Sequence, residues 1–372
     1  MNFVEVFKQG KRGMNMGLST GIPQLDQAIN GIQRKYTYSI AASPKVGKTT
    51  LCDFSFVISP YLEAEKNGTL HKLHWIYFSY EIDRVSKEFK FASFFMNHDF
   101  NVNSFVYKEK TYNMNQNYLM GNLMHRNPDN SLELVPITSE HEEMLKEIYK
   151  KRIIPMFGEY DEKGKQISKG VITYIEDPEN PTGLYKGLMK YANINGEFIK
   201  EGYLTTDESG RAITKDRIVG YTPNDPERYT IIVTDHVRKL KRERGFTMKD
   251  NIDKWLEYST WLRNICGFTF VHIVHLNRGL ANVDKLRYAG ETIYPTGDDV
   301  KDSGNISEES TVLLTMFNPQ DEKYNLKSHF GIDLEFYPNY RSIHVADSRY
   351  TESPQHIQTN MYGGINLFTP LV

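Results

Sequence analysis

The chain has 372 residues, 39% of them hydrophobic, and a formal net charge of −2. That is enough for about two domains, or for one large domain with an insertion, and for a substantial core. The near-neutral balance excludes a global basic footprint, so nucleic-acid contacts have to be concentrated on particular loops.

From the N-terminus, residues 1–18 read as an arm without the apolar run of a signal peptide. No stretch of the chain approaches about 18 apolar residues, so the expectation is a soluble cytoplasmic protein without membrane contact. Residues 19–31, STGIPQLDQAING, read as a cap, a short amphipathic helix with Ile22, Leu25 and Ile29 on one side, and a stop at Gly31. Residues 36–41, YTYSIA, predict a buried strand, and 49–59, TTLCDFSFVIS, a buried helix. Between them lies AASPKVGKTT. Strand, loop and helix are the setting of a phosphate-binding loop, here Ala42, Ser43, Pro44, Lys45, Val46, Gly47, Lys48, Thr49 and Thr50. Its N–H groups would cradle anionic oxygens, with Lys48 at the β/γ phosphates and the Thr49 hydroxyl on Mg²⁺. Gly47 lets the chain pass close to the phosphate, and Ala42 stands where a glycine is usual. The competing reading is a chance match in a surface turn, which the flanking strand and helix disfavour.

A second strand is predicted at 73–80, LHWIYFSY, with Glu81 at its end, and a helix at about 83–98. Residues 100–228 change character: Asn-rich segments, a helix-like run at 139–153, and turns such as DPENPTG and DESGR between short runs such as GVITYI and GEFIKEGYL. They read as an inserted accessory α+β element, outside a core formed by 19–99 and 229–372. Residues 229–234, YTIIVT, predict a strand ending at Asp235, followed by a basic run with Arg238, Lys239, Lys241, Arg242 and Arg244. A helix follows at 250–265, then a strand at 268–274 ending at His275, then a long polar segment at 277–309. Strands at about 310–317, 330–336 and 341–347 close the pattern. Alternating apolar strands and helices imply an open, mostly parallel α/β sheet flanked by helices. Such sheets bind ligands at the carboxyl ends of their strands, which is where Glu81, Asp235 and His275 all fall.

Those positions suggest roles. Asp235 is the candidate second Mg²⁺ group beside Thr49, and Glu81 the candidate base or water-positioning group. His275 is placed to sense the γ-phosphate, a buried structural histidine being the alternative. Five cations in seven residues from Arg238 to Arg244 would neutralise several phosphates of single-stranded DNA, with the segment 278–304 beside them. A solvated charged loop is the alternative there. Cys52 and Cys266 lie in apolar stretches and suit buried free thiols in a reducing compartment; no Cys/His cluster has zinc-ligand spacing.

The ordered set STGIPQLDQAINGI, AASPKVGKTT, WIYFSYEI, IIVTD, VHIVHLNR, DDVKDSGNISEESTVLLTMF and IHVADSRYTESP resembles the RecA-like P-loop ATPase domain of hexameric replicative DNA helicases, the DnaB family. The resemblance covers about 19–99 and 229–368. It accounts for Ala42, because that family's loop commonly starts with alanine. It implies Glu81 as catalytic glutamate, Asp235 as Walker B aspartate, His275 where glutamine is usual, and Arg349 as an arginine finger reaching a neighbouring subunit. It further implies ATP and Mg²⁺, single-stranded DNA, a homo-oligomer of hexameric type, and a primase or helicase loader as partner, with a viral or phage origin in view. The chain departs from the family in lacking the N-terminal helical domain before residue 19, in its longer 100–228 connection, in His275, and in Asp347 at a lysine position. A DNA-binding relative without unwinding activity, of recombinase or clock-protein type, and a degenerate ATPase scaffold are the other readings.

Overall fold

The computed structural model describes residues 3–11, 15–206, 209–277, 289–301 and 305–371. Nine strands share one sheet: β1 (Thr37–Ala42), β2 (Leu73–Ser79), β3 (Ile172–Ile175), β4 (Tyr229–Asp235), β5 (Thr269–His275), β6 (Val312–Phe317), β7 (Tyr340–Ser348), β8 (Gln355–Tyr362) and β9 (Leu367–Pro370). Their order across the sheet is β9-β8-β7-β6-β1-β5-β4-β2-β3. The strands from β3 to β6 run parallel, and β7 to β9 are added antiparallel. β1, β4 and β6 are buried along their whole length, as strands covered on both faces must be. Two apolar layers follow, one holding Ile40, Leu51, Phe56, Trp75 and Phe95, the other Ile232, Trp255, Phe270 and Leu313. The predicted α/β architecture is therefore present.

The helices that matter for the site are few. α1 (Pro23–Ile29) follows a turn in which Asp26 accepts hydrogen bonds from the Thr20 N–H and hydroxyl. α2 (Lys48–Asp53) does not stop at residue 59 as expected: a π-helical stretch, Phe54–Ile58, carries it into Ser59–Lys66. α3 (Arg84–Phe100) starts on an Asp83 cap, the carboxylate accepting from the Ser86 N–H. α4 (Met248–Cys266) starts on a capping box of Thr247 and Asp250 and ends at Gly267, whose φ of 77° suits a glycine C-cap.

Three expectations change. First, 100–228 is not wholly outside the core: its GVITYI run becomes β3, the edge strand beside β2. The same range buries Met114, Tyr118, Ile153 and Phe157 in the main apolar layer. Its GEFIKEGYL run does become a long exposed hairpin, Gly196–Thr206 with Ala212–Pro223. Second, no strand forms across 330–336. Gly331 takes φ 80° and the Asp333 carboxylate accepts from the Glu335 N–H, so the segment closes into a two-residue hairpin and a 3₁₀ turn. Third, β8 and β9 extend the sheet beyond the last expected strand. Both cysteines are free; Cys52 is buried and Cys266 half-buried. Among the described residues, no helix is long and apolar enough to cross a membrane.

Candidate active site

β1 ends at Ala42, the chain turns through Ser43–Gly47, and α2 starts at Lys48. Ala42 is a fully buried strand residue, paired with His275 on β5 and Met316 on β6. Its methyl group belongs to the apolar layer beneath the loop, so the departure from glycine costs the loop nothing. Gly47 cannot be replaced so easily. Its φ is 117°, and a Cβ there would stand 2.2 Å from the Met361 sulfur. The Lys48 ammonium donates to the carbonyls of Ala42 and Ser43, each at 3.0 Å, which folds it over the loop. Burial pushes its pKa down to about 8, against the opposing pull of Asp235 and Glu81.

Asp235 closes β4 and is buried. Its carboxylate accepts from the Thr49 hydroxyl at 3.0 Å and from the Tyr77 hydroxyl at 3.4 Å. Burial raises its pKa, with Lys87 pulling the other way. A buried oxygen pair that is costly to ionise alone suits a hard cation, which takes oxygen ligands. The donor set at Thr49 and Asp235 therefore fits Mg²⁺. Beneath it, Asp53 of α2 is enclosed by α3: Lys87 approaches it at 2.9 and 3.0 Å, Lys90 at 3.0 Å, and the Tyr77 hydroxyl donates at 2.9 Å.

Glu81 lies two residues beyond the end of β2, on a turn tied to its neighbours. The Tyr80 N–H donates to the Asp235 carbonyl at 2.9 Å, and Tyr174 of β3 donates to the Ile82 carbonyl at 2.8 Å. The edge strand from the insertion thus helps place the candidate base. Glu81 Oε1 is 3.2 Å from His236 Nε2 and 3.8 Å from Lys239 Nζ. His236 Nε2 in turn is 3.2 Å from His275 Nε2. Burial lowers the pKa of His236, and lowers that of His275 to about 3, with Lys48 adding to the effect. Sequence reasoning misses His236. The available signal is a histidine directly after a strand-ending aspartate, level with two other strand-end residues.

The basic run leaves this point on an ordered backbone. Arg238 and Lys239 sit in a 3₁₀ turn, Leu240 is buried, and the buried Asn251 amide donates to the Lys241 carbonyl at 2.8 Å. Lys241, Arg242 and Arg244 are exposed beyond it. Of the segment 278–304, residues 278–288 and 302–304 lie outside the described residues. Arg349 is not brought to this chain's phosphate loop. It follows Ser348, which pairs with Val312 and so lies level with Tyr38, about 13 Å along the strands from Ala42. Its guanidinium donates to the carbonyls of Ser310 and Glu308.

No family model and no curated protein matches the sequence. Among solved structures, the ATPase domain of a DnaB-like replicative helicase is similar with a TM-score of 0.64, over 99% of this chain and 97% of its own, at 11% identity. A structure of a DnaB-like replicative helicase and its interactions with primase is similar with a TM-score of 0.63, over 99% of this chain and 67% of its own, at 12% identity. At these identities the likeness is one of fold. This chain has the RecA-like fold seen in the ATPase domains of DnaB-like replicative helicases.

Proposed function

We propose that this chain is an ATP-driven translocase on single-stranded DNA, acting as a replicative helicase in a homo-oligomeric ring of hexameric type. The observation that carries the reading is the meeting of the Lys48 loop, Thr49–Asp235, Glu81 and His275 at one edge of the sheet, with the basic run starting directly after Asp235.

In this reading, loop N–H groups and Lys48 hold the β/γ phosphates of ATP, and Thr49 and Asp235 hold Mg²⁺. The metal supplies charge neutralisation at the phosphate oxygens. Glu81 accepts a proton from the water that attacks the γ-phosphorus as the bond to the β-phosphate oxygen breaks. Arg349, distant from its own chain's loop, serves a neighbouring subunit's site. Lys241, Arg242 and Arg244, with the segment after His275, contact DNA phosphates, and His275 links the two sites. A primase is a proposed partner because one similar structure is of a helicase with its primase interactions; a loader stands beside it.

The test is unwinding of a forked duplex with ATP and Mg²⁺. Strand separation that stops in Glu81→Gln, while that variant still binds nucleotide, supports the reading. ATP hydrolysis stimulated by DNA with no unwinding of any fork would move the protein to a DNA-binding ATPase of another kind.

A further inference from the structure

His236 occupies a junction that the roles above leave unused. Its ring is almost wholly buried between the ends of β2, β4 and β5. The Arg238 backbone N–H donates to His236 Nδ1 at 3.2 Å. A backbone N–H only donates, so Nδ1 is an acceptor and the neutral ring carries its proton on Nε2. That single N–H faces two acceptors at the same distance, Glu81 Oε1 and His275 Nε2, both 3.2 Å away. The two rings stand perpendicular, with centroids 4.5 Å apart. One proton cannot serve both acceptors well.

Each acceptor is tied to a different moving part. The His275 carbonyl accepts from the Lys301 N–H at 2.9 Å, and the Asn277 N–H donates to the Asp299 carbonyl at 2.7 Å, so His275 is fastened to the strip 297–301. Glu81 is held from the other side by Lys239, a member of the basic run, and His236 caps the turn in which that run begins.

We propose that His236 is a positioning residue that latches Glu81 in the absence of DNA and releases it when DNA is bound. DNA phosphates draw Lys239 away, displacement of the 297–301 strip moves His275 to take the Nε2 hydrogen bond, and Glu81 becomes free to accept the proton of the attacking water. Only hydrogen bonds are exchanged; no charge or proton leaves the cluster. The inference rests on the reading of Glu81 as the base.

Steady-state ATP hydrolysis with and without single-stranded DNA tests it in His236→Phe, which keeps a ring in the buried space but has no donor. The DNA-free kcat is expected to rise several-fold and the ratio of rates with and without DNA to fall toward one, with KM for ATP unchanged. His236→Gln, which offers an amide N–H, is expected to restore part of that ratio. A ratio unchanged in His236→Phe, or a parallel fall of both rates that His236→Gln does not rescue, overturns the latch. Histidine ¹⁵N NMR of the wild-type protein supplies a readout independent of activity and of the variants' folding. The latch requires His236 protonated at Nε2 and His275 at Nδ1, and a His236 proton on Nδ1 overturns it. A wild type whose hydrolysis ignores DNA refutes the proposed function instead, and the tautomers still decide whether the hydrogen-bond exchange exists.

Discussion

Asp53→Asn should be the most damaging isosteric change near the site. Asp53 and Lys87 have fully buried side chains, and the carboxylate is the anionic partner of both Lys87 and Lys90. Burial alone pushes the Asp53 carboxyl up, but the two ammonium groups outweigh it and hold it below the usual carboxylate range. The amide keeps the shape and removes the charge, which leaves the Lys87 ammonium enclosed with only neutral partners. Breaking a buried pair from one side costs about 3–5 kcal/mol. A domain holds about 5–15 kcal/mol in total, so the variant should be close to marginal. Urea unfolding at pH 7 reads this as a lowered midpoint at an unchanged slope. Replacing both partners, as Asp53→Leu with Lys87→Met, should recover most of the loss, because no uncompensated charge then remains between them. Because the carboxyl is lowered in the folded state, the stabilisation is complete above the ordinary carboxylate range and lost as pH falls through and below it. The double variant should therefore have a flatter acid limb. A loss of less than about 1 kcal/mol for Asp53→Asn, the size of an exposed pair, would show that water reaches Lys87 and would refute the reasoning.

Lys48, pushed down to about 8 by burial, must be charged to meet phosphate, so nucleotide affinity should be level below that pH and fall about tenfold per unit above it. Titration with a fluorescent ATP analogue reads the slope, and a flat profile would remove Lys48 from the phosphates. Charge reversal at Arg242 and Arg244 should weaken single-stranded DNA binding and lower the log–log salt slope by about 0.7 per lost phosphate contact, leaving DNA-free hydrolysis intact. An unchanged salt titration would return the run to solvated surface. Replacing the exposed hairpin 197–222 by a short Gly/Ser link should preserve folding and nucleotide binding. Removing all of 100–228 takes β3 and Tyr174 as well and should yield insoluble protein. Arg349→Ala and Lys48→Ala subunits, each inactive alone, should regain hydrolysis when mixed; no recovery would count against a finger acting between subunits.

The catalytic edge is legible because its residues sit where strands end, and strand ends show in sequence as a polar residue after an apolar run. Glu81, Asp235 and His275 stand out that way, and so does the loop from Ala42 to Thr50. What stays hidden depends on pairing across long separations. GVITYI looks the same whether it forms a free hairpin or an edge strand, and only its register with Trp75–Phe78 makes it part of the sheet. The Asp53–Lys87–Lys90 cluster is invisible for the same reason: a helix turn and a distant helix face meet only after β2 has packed between them. His236 is hidden by its neighbours, since a basic run reads as solvent-facing even when its first residue is buried. The segment 330–336 misleads because its apolar alternation outweighs Gly331 and the Asp333 cap in a reading by pattern.

The most direct measurement is the steady-state rate of ATP hydrolysis as single-stranded DNA is titrated into the wild-type protein, with Lys48→Ala as the blank. A saturable rise in rate that weakens steeply with salt is expected, because the carboxylate that activates water and the cations that meet DNA leave the same strand ends. A rate that ignores DNA at every salt concentration, or one that persists in Lys48→Ala, would contradict the assignment of this edge as a DNA-driven ATPase site.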